Sequence, residues 1–210
     1  THHNRGTKDT VAIMNLMAGD DVPAGIISNT LFSAGIHPWN LTRENEDELK
    51  SELLLSAAHP HVMMIGEAGF DRLRGPDIDI QRRTFRFQVD LAEEMRKPLV
   101  IHCVRCWEEL ISARKESKPS VPWIIHGFRG RIDLAASLSE QGFYFSLGMK
   151  SIIYQTLKVI SSGKIFLETD DTQMPVTDVY ERYCQIMGCN AETASDLFRN
   201  NFNSLFENII

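Results

Sequence analysis

The sequence predicts an α/β chain, a distorted TIM (β/α)8 barrel with abbreviated N-terminal units, and three observations lead there. Short β-branched or aromatic runs recur along the 210 residues, each separated from the next by a polar stretch of helical character. The runs are apolar along their whole length, as strands covered on both faces of a parallel sheet are. Seven such runs are visible and residues 1–3 read as the tail of an eighth, which favours a closed barrel over an open doubly wound sheet.

Taken in order, the strands are expected at VAIMNL (11–16), FSAGIH (32–37), VMMIGE (62–67), PLVIH (98–102), WIIHG (123–127), FYFSLG (143–148) and KIFLET (164–169). Between them the pattern predicts a helix over 43–58 capped by Thr42, and one over 77–97 with Phe85, Val89, Ala92 and Met95 on one face. Shorter helices are expected at 105–115, 131–141 and 150–161, and three more near 177–187, 191–199 and 201–208. Little chain separates residue 3 from the strand at 11, so the barrel is irregular at its beginning.

A hydrophobic content of 43% without a break in composition fits one domain over 1–210. The apolar runs are far too short to cross a bilayer and no charged start precedes an apolar stretch, so a cytoplasmic protein without a membrane association is expected. Four scattered cysteines do not form a disulfide framework and are read as reduced thiols. A net charge of −6 argues against gripping nucleic acid through a broad basic surface. It leaves room for a small site where metal ions meet a phosphate. No protein partner is inferable.

Active sites in such barrels lie at the C-terminal ends of the strands, so polar residues there are informative. The expected strands end in His2, His37, Glu67, His102, His126 and Asp170. Each alone has an ordinary reading: a hydrogen-bonded histidine closing a strand, or for Asp170 a helix N-cap. Jointly they point to several imidazoles and two carboxylates without a thiolate, a donor set that suits Zn²⁺, Mn²⁺ or a related divalent ion. Glu67 has the chemistry to bridge two ions about 3.5–4 Å apart, and hydrolysis is the matching reaction class. His2 and His3 point to opposite faces of any strand that holds both, and His2 is selected. His59 and His61 precede a strand and belong to the opposite end. Cys103-Val104-Arg105-Cys106 has the spacing of a redox pair opening a helix, but no second pair supports a zinc knuckle, so His102 and not the thiols is the expected ligand.

The strings SAGIHPW (33–39), IGEAGFD (65–71), PLVIHC (98–103), IIHGFRG (124–130) and FLETD (166–170) occur in the order and spacing of TatD-like metal-dependent deoxyribonucleases, of the amidohydrolase superfamily, which this chain resembles from residue 33 to its C-terminal NFNSLF (201–206). The resemblance implies a binuclear site holding two divalent metal ions (Zn, Mn or Mg). Glu67 would bridge them, with His102 and His126 on one ion. Asp170 and the second histidine of a His-x-His pair, His2, would hold the other. It further implies Asp170 as general base, alongside Glu67 as the second catalytic carboxylate, and His37 beside the substrate phosphate. Asp71 would contact substrate or position the Glu67 loop, and Arg72 and Arg129 are candidate phosphate contacts. The substrate implied is DNA or a small phosphoester. Many relatives place Arg-Asp after the serine or cysteine that follows the IH histidine and Ala-Pro-Tyr after ETD, where this chain has Val104-Arg105-Cys106 and Asp171-Thr172-Gln173. These departures bear on substrate choice and keep two alternatives open: a hydrolase of a small ester, lactone or amide, and a metal-binding barrel without catalysis.

Overall fold

A computed structural model of the chain describes residues 11–23 and 29–207. Of these, 11–122 form one compact unit and 123–207 another. The opening strand expected at residues 1–3, with His2 and His3, lies outside the described residues.

In the first unit, apolar runs give four parallel strands: β1 (Ala12–Met17), β2 (Thr30–Gly35), β3 (Val62–Asp71) and β4 (Leu99–Val104). β1 pairs with β2 from Ala12 against Thr30 to Met17 against Gly35. β3 pairs with β4 through Gly69 against His102 and Asp71 against Val104. Helices α1 (Glu46–Ala57), α2 (Ile78–Glu94) and α3 (Trp107–Ser117) alternate with the strands, as parallel connections require. The apolar stripe of α2 buries Ile80, Phe85, Val89 and Ala92. Phe70 of β3 meets Phe85 of α2 with ring centroids 4.7 Å apart. Burying each ring stabilises by roughly 2–3 kcal/mol, so the far end of β3 is firmly seated.

The second unit has β5 (Trp123–Ile125), β6 (Tyr144–Leu147) and β7 (Ile165–Leu167), followed or separated by α4 (Ile132–Glu140), α5 (Tyr154–Val159), α6 (Val176–Met187) and α7 (Ala191–Glu207). The strands are again parallel, with Ile124 opposite Tyr144 and Phe145 opposite Ile165. Phe128 and Phe145 pack edge to face with centroids 5.3 Å apart, and Trp123, Phe143 and Phe145 are fully buried.

Three expectations need correction. The two helices near 191–199 and 201–208 are one, α7. Asn201, at the expected start of the second, turns inward, and its amide donates to the carbonyls of Ser162 and Ile165 at 2.7 and 2.8 Å. Thr42 does not cap α1 directly. It exchanges hydrogen bonds with Asn45, which occupies the capping position before Glu46. Finally, the candidate residues are not all terminal: β3 continues past Glu67 to Asp71, His102 lies inside β4, and His37 lies two residues beyond β2.

Candidate metal centre

His37 is fixed from behind. Gln88 of α2 clasps the preceding residue, accepting the Ile36 N–H at 2.8 Å and donating to its carbonyl at 3.1 Å. The His37 ring is buried, and its Nδ1 accepts the backbone N–H of Trp39 at 3.1 Å. A neutral imidazole that accepts at Nδ1 carries its proton on Nε2, and that atom stands 3.7 Å from the Glu67 carboxylate.

Glu67 is placed by β1. Asn15 Oδ1 accepts the Glu67 backbone N–H at 2.9 Å and the Ser33 hydroxyl at 3.1 Å. Asparagine is disfavoured in strand interiors, so its presence in VAIMNL is the sequence signal of this polar contact. Two residues on, the backbone of β3 passes so close to β4 that a Cβ at Gly69 would lie 2.0 Å from the His102 carbonyl oxygen, at a φ of +149°. Only glycine fits there.

His102 is oriented by Asp71. The Asp71 Oδ2 is 3.1 Å from His102 Nε2 and accepts the Trp39 indole N–H at 2.6 Å. Oδ1 accepts the backbone N–H groups of Leu73 and Arg74 at 2.8 and 3.0 Å. Gln81 of α2 completes the anchorage by binding both the N–H and the C=O of Asp71. Burial works to raise the Asp71 pKa, but the donors around it prevail and hold the carboxyl below its usual range. An ionised Asp71 holds the His102 proton on Nε2 and leaves the lone pair at Nδ1, the arrangement by which carboxylates prepare metal-ligating imidazoles.

His37, Glu67 and His102 each offer one ligand atom, all within 4.8 Å of one another. The hydrogen bonds separate their roles. His102 and Glu67 present lone pairs, whereas His37 presents an N–H. An imidazole and a carboxylate, with the second imidazole as hydrogen-bond donor, fit a hard or borderline divalent ion.

The second unit holds His126, Glu168, Asp170 and Arg129. His126 follows β5 directly, and its Nδ1 is 3.9 Å from the Glu168 carboxylate. Glu168 Oε1 also accepts the Gly127 N–H at 2.7 Å. Burial, together with the charge of Asp170, raises the Glu168 pKa to about 7 against the opposing pull of His126 and two hydrogen bonds. Glu168 faces His126 without the hydrogen bond that joins Asp71 to His102, and the two carboxyls shift in opposite directions. In the sequence Glu168 is masked by Asp170, two residues on in FLETD, which has the more obvious place after the strand. Asp170 is exposed and left-handed at a φ of 52°, three residues beyond β7. Arg129 is exposed in the loop after β5.

Other candidates are otherwise engaged. Arg72 is ion-paired with Glu109 and donates to the Arg105 carbonyl at 3.1 Å. Burial pushes the Cys103 thiol far up, and burial with the Glu109 charge raises Cys106, so both thiols stay protonated at neutral pH. His59 and His61 face each other at 5.7 Å just before β3.

Parallel strands alternating with helices, and histidines paired with carboxylates beside them, define an α/β, TIM-barrel-like class of metal-site proteins. Within that class, the model of the TatD related DNase family matches residues 24–207, and the chain belongs to that family. It is 32% identical over 145 residues to the uncharacterized metal-dependent hydrolase YabD of Bacillus subtilis, covering 65% of this chain and 56% of that protein. It is 30% identical over 147 residues to the 3'-5' ssDNA/RNA exonuclease TatD of Erwinia tasmaniensis, covering 66% and 56% respectively. The chain thus spans little more than half the length of these relatives. Among solved structures, a hydrolase TatD family protein from Entamoeba histolytica superposes with a TM-score of 0.74 at 16% identity, over 94% of this chain and 85% of that one.

Proposed function

We propose that the chain is a divalent-metal-dependent hydrolase that cleaves phosphodiester bonds of DNA. The observation that carries this reading is the Glu67–His102 donor pair, with the His102 proton held on Nε2 by Asp71 and the His37 N–H beside it. Membership of the TatD related DNase family and similarity to a relative named as a 3'-5' ssDNA/RNA exonuclease support it.

In this reading the metal ligands are His2, Glu67, His102, His126 and Asp170, serving two ions of Zn, Mn or Mg. Such ions supply Lewis acidity toward a phosphate oxygen and make water acidic enough to act as a nucleophile near neutral pH. The protein's own groups do the rest. His37 donates its Nε2–H to a phosphate oxygen, where negative charge grows. Asp170 accepts the proton of the attacking water, its exposure giving access to solvent. Asp71 holds His102 in place by its hydrogen bond to Nε2, and the Glu168 carboxyl faces His126 at 3.9 Å. Arg129 offers a charge to the backbone. Arg72, neutralised by Glu109, contributes little.

Purified protein with Mn²⁺ or Mg²⁺ is expected to shorten single-stranded DNA, and Glu67→Ala and Asp170→Ala each to reduce the rate at least a hundredfold, in line with loss of a group acting on the reacting atoms. Full activity in either variant would remove the metal mechanism. Turnover of small esters with none of DNA would reassign the substrate.

A further inference from the structure

Trp39 offers no metal donor, yet its side chain is exposed and fixed at its polar edge. The residue is 46% exposed, although His37 and Pro38 before it are buried. The indole N–H is tied to Asp71 Oδ2 at 2.6 Å and the backbone N–H to His37 Nδ1 at 3.1 Å. The Arg74 guanidinium lies over the indole, 4.1 Å from the centroid. The ring centroid is 4.9 Å from that of His37 and 5.6 Å from that of His102.

We infer that Trp39 and Arg74 form a stacking platform for one nucleobase of a single-stranded substrate, at the position next to the phosphate that meets His37; this rests on the phosphodiesterase reading of the same site. Three features argue for a base as the occupant. An apolar ring pinned by its polar edge loses little rotamer freedom when a planar group settles on it, so contact area converts efficiently into affinity. A guanidinium against an indole adds a cation to the stack, the combination by which proteins hold unpaired bases irrespective of sequence. The location supplies the third: a nucleotide whose phosphate takes the His37 N–H carries its base to a neighbouring surface, and the neighbouring surface is Trp39. Of the two arginines in this loop, Arg72 is paired with Glu109 while Arg74 lies on the indole. In a chain of net charge −6, that places a positive charge where a polyanion arrives. A base inside a duplex is stacked on both faces and cannot take this seat, so the platform selects unpaired ends.

The test compares a single-stranded oligonucleotide with the same strand carrying one abasic residue at its terminus, using wild type, W39A, W39F and R74A. In EDTA, the base-bearing strand is expected to quench tryptophan fluorescence in wild type. The base-dependent quench should vanish in W39F and persist in W107F, a control needed because Trp107 is half-buried whereas Trp123 is fully buried. With saturating Mn²⁺, W39A is expected to raise KM on the base-bearing strand about tenfold, as loss of one stacked base does, while loss of the indole N–H on Asp71 lowers kcat on both strands alike. R74A should raise it less. Wild type should lose the same factor on the abasic strand, and W39A should not distinguish the two strands. Equal preference for the base in wild type and W39A, or a W39A defect confined to kcat, overturns the platform. Quenching lost in W39F without metal-dependent cleavage by wild type upholds the platform and defeats the phosphodiesterase reading instead. Circular dichroism of each variant separates these results from misfolding.

Discussion

The Asp71 carboxylate has four hydrogen-bond partners within its own unit: Trp39, His102, and the backbone of Leu73 and Arg74. Replacing one oxygen by an amide nitrogen sets a donor against donors. Asp71→Asn is therefore expected to destabilise by about 1–3 kcal/mol, the range for a buried group left unpaired. It should also weaken Mn²⁺ binding by about 10–100-fold, because His102 loses the partner that fixes its protonated nitrogen. Calorimetric titration of Mn²⁺ checks this, and unchanged affinity would show that His102 is not held in this way. How much the sequence discloses also varies at this scale. His102, Glu67 and His126 stand out as metal-capable residues after apolar runs. Asn15, Gln81 and Gln88 do not, since a lone amide in an apolar stripe looks like a surface residue until the fold shows which backbone groups it must satisfy.

Helices α1 and α2 are linked by a carboxylate at the start of one and an arginine within the other. Glu46, almost buried, accepts from Lys50 at 2.7 Å and from Arg83 at 2.8 Å. Burial alone would raise its pKa, but the two cations outweigh it and the net shift is downward. A carboxylate whose folded pKa lies below its unfolded value contributes stability that is present above the ordinary carboxylate range and fades as pH falls through the folded pKa. Glu46→Gln is thus expected to lower the melting temperature at pH 7 by roughly 2–4 °C, equivalent to about 1 kcal/mol for a partly screened pair. The difference from wild type should shrink steadily below about pH 4.5. A gap that stays constant down to pH 3 would assign the effect to packing. Element boundaries show the limits of pattern reading. The apolar cores of the strands are legible, yet the strand expected to end at Glu67 continues through Gly69 to Asp71, where glycine is what the close approach of β4 demands.

For the molecule as a whole, the α/β class and the order of elements follow from alternation of apolar and amphipathic segments. The single α7 does not, because what joins its halves is Asn201 reaching carbonyls nearly forty residues earlier in the chain. Metal linkage provides a measurement at this scale. Ligands that bind only the folded chain stabilise it, by about 2.7 kcal/mol at one hundred times Kd. Wild type is therefore expected to melt roughly 5–10 °C higher with saturating Mn²⁺ than with EDTA, and Glu67→Ala to lose most of that gain. An identical rise in the variant would place the ion elsewhere. The Asp71 junction, finally, limits how the sequence can drift. Positions 39, 71 and 102 share one carboxylate, so a change at any one strands the partners of the others and alters which later changes are tolerated. These three positions are mechanically one joint, and substitutions there are expected to combine by less than the sum of their separate effects.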